Sequence, residues 1–178
     1  MNDLSSYLLD IMFNCIEAKS KNIKLFINED VNNNILKICI EDDGIGMSDD
    51  QIKKVTDPFY TSRKTRKVGL GIPFYKELCE QCGGTFHIKS KENIGTTITS
   101  SFKYDSIDLP DMGDIQDTIC AITLNQNIDL FYQHIYQDKE FTFDTKKVKE
   151  IIENIPINDP HVLLWIKDYI KAEISKLR

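Results

Sequence analysis

The sequence contains no long hydrophobic run and no excess of positive charge. No apolar stretch approaches the ~20 residues that a membrane span needs, so we expect no membrane contact. The 28 Asp and Glu residues outnumber the 22 Lys and Arg residues, which gives a net charge of −6. This balance argues against general nucleic-acid binding, which favours a basic surface. Residues 1–4 also lack the charged and then apolar start of a signal peptide, so the cytoplasm is the expected location.

Cysteine pairs are scarce as well. The five cysteines, an odd number, are typical of reduced thiols in a chain without an export signal. Cys79 and Cys82 form one Cys-x-x-Cys pair, which could serve redox chemistry or hold a metal. No second pair accompanies them, and both fall on the apolar stripe of a predicted helix. We therefore interpret them as small buried hydrophobic residues.

Apolar periodicity predicts alternating helices and strands through the first hundred residues. The predicted elements are a helix over 4–15, strands over 23–27 and 36–40, a short helix after Ser48, a helix over 72–82, and strands over 86–88 and 98–102. The first two strands are expected to be antiparallel. Ser48 and Gln51 form a capping box, and the basic segment 61–67 is predicted to be a loop.

The residues after position 104 form a second group of predicted elements. In chain order these are a linker over 105–114, a hairpin of 131–137 with 140–143, a short helix over 148–152, and an amphipathic helix from Pro160 to Leu177. We therefore divide the chain into a domain over 1–104 and a C-terminal extension over 105–178 that packs on it. The total of 178 residues suits one domain with such an extension.

The first predicted helix carries three polar residues on one face. Asp10, Asn14 and Glu17 are spaced four and three positions apart, so they share a side of the helix. A carboxylate, an amide and a second carboxylate could hold Mg²⁺ and activate a water, because Mg²⁺ prefers oxygen ligands. The alternative is an ordinary solvated helix face, and the spacing alone favours that simpler interpretation.

The second predicted strand ends in an Asp-x-Gly-x-Gly pattern. By alternation Asp42 points to the inner face of the sheet, where a carboxylate needs a partner to offset its lost hydration. An adenine amino group could be that partner. Gly44 and Gly46, which precede Met47, would let the backbone turn and approach a ligand. A strand that simply ends in a tight turn is the competing interpretation.

A basic segment precedes a glycine pair at the start of the next helix. The segment 57–67 could close over a triphosphate, and backbone N–H groups of Gly69 to Gly71 could receive phosphate oxygens. A charged surface loop explains the same residues, and a nucleic-acid patch is a weaker third alternative. Farther on, the Thr96 hydroxyl could bond a base or merely stabilise a turn.

Five such signals occur in one order along residues 4–103. They are Asp10-x-x-x-Asn14, Asp42-x-Gly44-x-Gly46, Pro58-Phe59-Tyr60-Thr61, Gly69-Leu70-Gly71 and Gly95-Thr96. This order closely resembles the sequence boxes of the gyrase, heat-shock-chaperone, histidine-kinase and mismatch-repair (GHKL) ATPase superfamily. The resemblance implies a Bergerat-type α/β fold. In that fold an α+β two-layer sandwich has a mixed, mostly antiparallel sheet with helices on one face, here with a small α/β extension.

The resemblance also implies ATP and Mg²⁺ as cofactors and assigns residues to them. Asn14 would coordinate the Mg²⁺ on the phosphates, and Asp42 would accept a hydrogen bond from the adenine amino group. Gly46 and Met47 would line the base, and Thr96 would support it through its hydroxyl or a water.

Other assignments concern the phosphate end. Asp10 matches the glutamate general base of hydrolytic members, although aspartate is one methylene shorter. Segment 61–67 would be the lid over ATP, and Gly69 to Gly71 would meet the phosphates. The further nucleotide contacts that we expect are Glu17, Gly44, Phe59, Thr61, Ser62, Arg63, Lys64, Gly69, Leu70 and Gly71.

The branch of the superfamily stays open at this stage. Histidine kinases carry a helical hairpin with a phosphoacceptor histidine before the ATPase domain, and none of His87, His134 and His161 lies in such a context. The short lid and the Phe-Tyr-Thr segment resemble the kinases. Glu17, in contrast, resembles the acidic residue of gyrase-like and mismatch-repair members.

We therefore predict an ATP-binding protein that transfers phosphate to a separate partner protein in signalling or regulation. One alternative is an ATP-gated switch with slow hydrolysis that controls partner binding without kinase activity. Another is a binding module whose ATP is purely structural. The whole chain is similar to small stand-alone ATP-binding proteins of anaerobic bacteria that often accompany iron-hydrogenase genes, which suggests a redox- or hydrogenase-linked partner.

Overall fold

A computed structural model describes residues 3–57, 59 and 71–178 of the chain. The helices are α1 (Leu4–Glu17), α2 (Asp49–Val55), α3 (Gly71–Gln81), α4 (Ile115–Thr123), α5 (Thr145–Ile152) and α6 (Pro160–Leu177). The strands are β1 (Asn22–Asp30), β2 (Ile35–Asp42), β3 (Thr85–Lys91), β4 (Gly95–Lys103), β5 (Asp129–Tyr136) and β6 (Lys139–Asp144). No helix in these ranges is long and apolar enough to cross a membrane.

The six strands form one sheet in the order β3-β4-β2-β1-β5-β6. β1 and β5 are parallel, whereas the other neighbouring strands are antiparallel. The pairs β1–β2, β3–β4 and β5–β6 are hairpins with short turns, whereas β2–β4 and the parallel pair β1–β5 join strands that are distant in the chain. The predicted mixed, mostly antiparallel sheet is therefore confirmed.

Strand alternation places the hydrophobic core on one face of the sheet. In β1 the side chains of Ile23, Leu25 and Ile27 are buried, whereas those of Lys24 and Asn28 are exposed. The buried side chains join α1, α3, α4 and α6 in one core cluster. This arrangement is the two-layer sandwich that the sequence predicts, with the helices packed against a single face.

Local signals explain where two of the helices begin. The Asp3 carboxylate caps α1 by accepting a hydrogen bond of 2.8 Å from the Ser6 N–H. Before α2 the Ser48 and Gln51 side chains each accept from the other residue's backbone N–H, so the predicted capping box is confirmed. Both caps satisfy amide groups that have no partner within the first turn of a helix.

The C-terminal segment continues the same sheet. The predicted hairpin forms as β5 and β6, and β5 pairs with β1 along the whole of its length. Helix α4 was not predicted, because Thr118 and Thr123 give this short stretch a low helix propensity. Its apolar spacing of Ile115, Ile119 and Ile122 nevertheless matches a helix. The division of the chain at residue 104 stays a prediction.

The predicted linker is held against the start of α1. The Leu4 and Ser5 N–H groups donate to the carbonyls of Asp111 and Met112, both at 2.9 Å. The Thr118 hydroxyl of α4 donates to the Ser5 carbonyl at 3.1 Å. The helix that carries Asp10 and Asn14 is thus anchored at its first turn by the C-terminal segment.

A buried polar network joins β1 to the C-terminal segment. The Glu29 side chain is 2% exposed and accepts a hydrogen bond from His134 Nε2 at 2.6 Å. His134 Nδ1 lies 2.6 Å from the Tyr132 hydroxyl. Tyr104 Oη donates to Glu29 at 2.8 Å, and Arg178 reaches both carboxylate oxygens at 3.1 Å. One carboxylate therefore has partners from three separate parts of the chain.

Acid should weaken the fold through this carboxylate. Burial alone would raise the pKa of Glu29, but hydrogen bonds from His134 and Tyr104, with the charges of His134 and Arg178, outweigh it and lower the pKa. A lowered folded-state pKa contributes stability above the unfolded-state pKa and loses it as pH falls. We expect the free energy of unfolding to start falling near the ordinary pKa of 4.5 and to keep falling through the folded-state pKa.

Urea unfolding of the wild type and of Glu29→Gln over this pH range measures the effect. The difference between the two proteins should shrink as the pH falls. Other carboxylates with a shifted pKa are common to both proteins. One is Asp43: burial would raise its pKa, but hydrogen bonds from Asn22 and Lys21 lower it. A difference that stays constant across the range would contradict the prediction.

Candidate functional site

A cavity of about 350 Å³ opens beside the end of β2. Its walls come from α1, α2, the loop after β2, the start of α3 and β4. Six of the residues predicted to bind a nucleotide line it: Asn14, Glu17, Asp42, Gly46, Met47 and Thr96. The structure therefore brings together the signals from the first helix, the second strand and the last strand of this half.

Asp42 sits on the cavity wall with one oxygen engaged. Its Oδ1 accepts from the Ser20 hydroxyl at 2.9 Å and from the Gly44 N–H at 2.8 Å. Both hydrogen bonds fix the carboxylate through Oδ1, and the Cys15 thiol is a further hydrogen-bonding neighbour of the same carboxylate. Burial, together with the charge of Asp42, raises the pKa of the neighbouring Cys15 thiol well above its ordinary range, so this thiol is protonated.

The glycines after β2 allow two close backbone approaches. Gly46 has a φ of +64°, and a Cβ there would lie 1.9 Å from the Lys91 carbonyl oxygen. A Cβ at Gly44 would lie 2.6 Å from the Ala18 carbonyl oxygen. Any side chain would therefore push this loop away from the β3–β4 turn and from the end of α1. The glycines shape the cavity wall through contacts within the chain.

The polar face of α1 points toward two different places. Asn14 and Glu17 line the cavity, whereas Asp10 lies next to Gly71, the first residue of α3. A Cβ at Gly71 would lie 3.1 Å from the Asp10 Cβ. Among the described residues Asp10 is not part of the cavity wall. It lies on α1, one helical turn before Asn14, and contacts the start of α3.

The predicted lid over 61–67 and the first two residues of the glycine motif lie outside the described residues. This applies to Thr61, Ser62, Arg63, Lys64, Gly69 and Leu70. Phe59 is described and is 90% exposed. The assignments of these residues to a nucleotide stay predictions.

Sequence reasoning missed several residues of the wall. Gln51, Lys54 and Val55 of α2 contribute to it. The capping box predicted this helix, but a helix of only seven residues is too short for its apolar pattern to show which side faces a cavity. The hydroxyls of Ser20 and Ser90, which hold Asp42 and Thr96, were also missed, because serine in a turn or strand carries no distinctive signal.

The cysteine pair of α3 is buried. Cys79 and Cys82 are nearly inaccessible, as expected for small hydrophobic residues. Burial raises the pKa of the Cys79 thiol to about 12, which keeps it protonated at neutral pH. Among the described residues no group of three or more His, Cys, Asp or Glu side chains is arranged to hold a metal.

Curated proteins similar to this chain are histidine kinases. Sporulation kinase E of Bacillus subtilis is 31% identical over 96 residues, which are 53% of this chain and 13% of that protein. Sporulation kinase B of the same organism is 34% identical over 97 residues, which are 54% of this chain and 22% of that protein. The chain thus matches less than a quarter of the length of each of these two relatives.

Solved structures extend the likeness beyond the first hundred residues. The ADP complex of the Aquifex aeolicus MutL ATPase domain has a TM-score of 0.55 at 9% identity, and the match covers 86% of this chain and 70% of that structure. At this identity the likeness shows the fold alone. A family model described as "Histidine kinase-, DNA gyrase B-, and HSP90-like ATPase" matches residues 2–106. This match spans more than half of the chain, which therefore belongs to the histidine kinase-, DNA gyrase B- and HSP90-like ATPase family.

Proposed function

We propose that the chain binds Mg·ATP in the cavity beside β2 and transfers the γ-phosphate to a separate partner protein. The observation that carries the nucleotide assignment is the fixed carboxylate of Asp42. Its Oδ1 is held by Ser20 and Gly44, and the residue lines a cavity of about 350 Å³. A cavity of this size falls within the range of small-molecule sites.

The residues at the base end fit an adenine. Asp42 and Thr96 are direct partners in the β2–β4 register, so their side chains lie on the same face of the sheet. The Asp42 carboxylate can accept from the exocyclic amino group, which compensates its partial burial. Met47 and Ile98 supply apolar surface on the same wall for the ring.

The residues at the phosphate end fit a charged group with its metal ion. Asn14 and Glu17 offer oxygen ligands on the cavity side of α1, and Asn14 is the residue that would hold Mg²⁺. Bound Mg²⁺ would neutralise charge on the phosphates. The first N–H groups of α3 begin at Gly71, beside Asp10, where a helix N-terminus favours an anion.

Kinase activity is supported by the relatives, since the two described above are named as kinases and match 96 and 97 residues of this chain. Transfer to a protein needs an acceptor group in line with the γ-phosphate rather than a strong internal base. The shorter reach of aspartate at position 10 is compatible with this requirement. Asp10 would then matter mainly for the competing reaction with water.

A nucleotide-controlled switch is the second candidate function. One observation favours it: the C-terminal segment hydrogen-bonds to the first turn of α1, the helix that carries Asn14. A shift of α1 on nucleotide binding would therefore strain the contacts of Ser5 with Met112 and Thr118. In this alternative, slow hydrolysis at Asp10 resets the state, and partner binding depends on the nucleotide.

A phosphate balance separates the two candidates. Purified protein is incubated with γ-labelled Mg·ATP in a lysate of its host, and free phosphate and protein-bound label are followed together. We expect the label to appear on one other protein and to be lost with Asn14→Ala. An Asn28→Ala protein, changed on the exposed face of β1, should label like the wild type.

The other outcomes are also informative. Free phosphate without any labelled protein would contradict the kinase proposal and favour the switch. Neither label nor free phosphate, in a protein that nevertheless binds ATP, would leave only a structural role for the nucleotide. Absence of ATP binding would overturn the site assignment as a whole.

A further inference from the structure

Ser90 of β3 connects two residues of the cavity wall, Met47 and Thr96, and is not itself among the lining residues. Its hydroxyl oxygen accepts from the Met47 N–H at 2.8 Å, in the loop after β2. Its proton can reach the Gly95 carbonyl at 3.0 Å, and it lies 2.8 Å from the Thr96 hydroxyl. Ser90, Thr96 and Asp42 form a row of register partners across three neighbouring strands.

Counting protons assigns a direction to the contact between Ser90 and Thr96. A serine hydroxyl has one proton and two lone pairs. The Gly95 carbonyl can only accept, and at 3.0 Å it is placed to take the Ser90 proton. The Met47 N–H uses one lone pair of Ser90, and the second lone pair is satisfied if Thr96 donates to it. In this arrangement each of the four polar groups has a suitable partner.

The consequence is a pair of acceptors, Thr96 and Asp42, side by side on the cavity wall. Thr96 has used its proton on Ser90, so it turns lone pairs toward the cavity. The Oδ2 of Asp42, on the neighbouring strand, also accepts. Two acceptors side by side match an exocyclic amino group and oppose a carbonyl oxygen in the same place. Adenine has an amino group at C6, whereas guanine has a carbonyl there.

We infer that Ser90 is a positioning residue for base selectivity, which makes the site choose a 6-aminopurine by fixing the Thr96 hydroxyl as an acceptor. This inference rests on the proposed nucleotide function of the cavity. Ser90 does not contact the nucleotide and acts only through Thr96 and Met47. Without its hydroxyl, Thr96 could rotate and donate a proton to a carbonyl at C6, which would reduce the discrimination against guanine.

Two variants of equal shape isolate the hydroxyl. Ser90→Thr keeps it, whereas Ser90→Val replaces it with a methyl group, and both β-branched residues suit a strand. The dissociation constants of the full chain for Mg·ATP and Mg·GTP are measured by titration calorimetry. We expect the wild type and Ser90→Thr to prefer ATP alike. In Ser90→Val we expect the ratio of the two constants to fall about tenfold, as the loss of one aligned hydrogen bond implies.

The readout separates this role from a merely structural one. A general weakening of the fold would lower the affinities for both nucleotides together and leave their ratio unchanged. An unchanged ratio in Ser90→Val, in a protein whose wild type binds ATP, would overturn the inference but leave the proposed function standing. A wild type that binds neither nucleotide would overturn the proposed function, and the inference would fall with it.

Discussion

Replacing Glu29 with alanine is expected to remove about 3–5 kcal/mol from the free energy of unfolding, the range for losing one partner of a buried ion pair. The substitution deletes an acceptor that serves His134, Tyr104 and Arg178. Of these three donors His134 is buried, and its ring would lose the carboxylate to which it is hydrogen-bonded. Because domains are stable by only about 5–15 kcal/mol, the loss should be visible as a large drop in the urea midpoint.

Glu41→Ala is the matched control for this substitution. Glu41 lies on β2, next to β1, and forms an ion pair with the half-exposed Lys24 at 3.5 Å. Surface ion pairs contribute about 0–1 kcal/mol, so the same chemical change should barely move the midpoint there. Equal effects of the two substitutions would show that the buried network adds nothing beyond ordinary surface charge.

Replacing Asn14 with alanine is expected to abolish measurable binding of Mg·ATP. The side chain lines the cavity from α1, and its amide oxygen is the ligand that we assign to Mg²⁺. Asn14 is only half-buried, so we expect the fold to survive the substitution. Titration calorimetry with Mg·ATP measures the binding, and the urea midpoint should stay close to that of the wild type. Unchanged affinity for Mg·ATP would overturn the assignment of the site.

Asp10→Asn is the companion variant, placed one turn earlier on the same helix. It keeps the size of the side chain and removes its ability to take a proton from water. We expect binding to survive and hydrolysis to fall by about 10²- to 10⁴-fold, the usual contribution of a general base. Hydrolysis at the wild-type rate in Asp10→Asn would show that another group activates the water.

Local patterns in the sequence predicted the first half of the fold well. Ile23, Leu25 and Ile27 alternate as a half-buried strand, and the structure places them in the core. The pattern at Asp42 predicted an inward carboxylate, and the structure places it on the cavity wall. Such signals succeed because side-chain direction repeats every two residues in a strand and every 3.6 in a helix.

Short elements of the C-terminal segment were predicted less completely. The hairpin of β5 and β6 follows from alternation and a tight turn, but its place beside β1 does not. Which strand becomes the parallel neighbour depends on the length of the crossover connection and on which face of the sheet is already covered. A segment of ten residues contains neither kind of information. The sheet therefore contains β5 and β6 in addition to the four strands of the first 103 residues.

The sequence by itself determined the family, the elements of the first hundred residues and the candidate residues on the nucleotide wall. Only the tertiary structure decided which hydroxyls hold that wall and which charges meet inside the core. Glu29 and His134 are 105 positions apart in the sequence, and Ser90 and Met47 are 43 positions apart. Contacts at such distances depend on strand order and packing, because a local pattern fixes the direction of a side chain but not its partner.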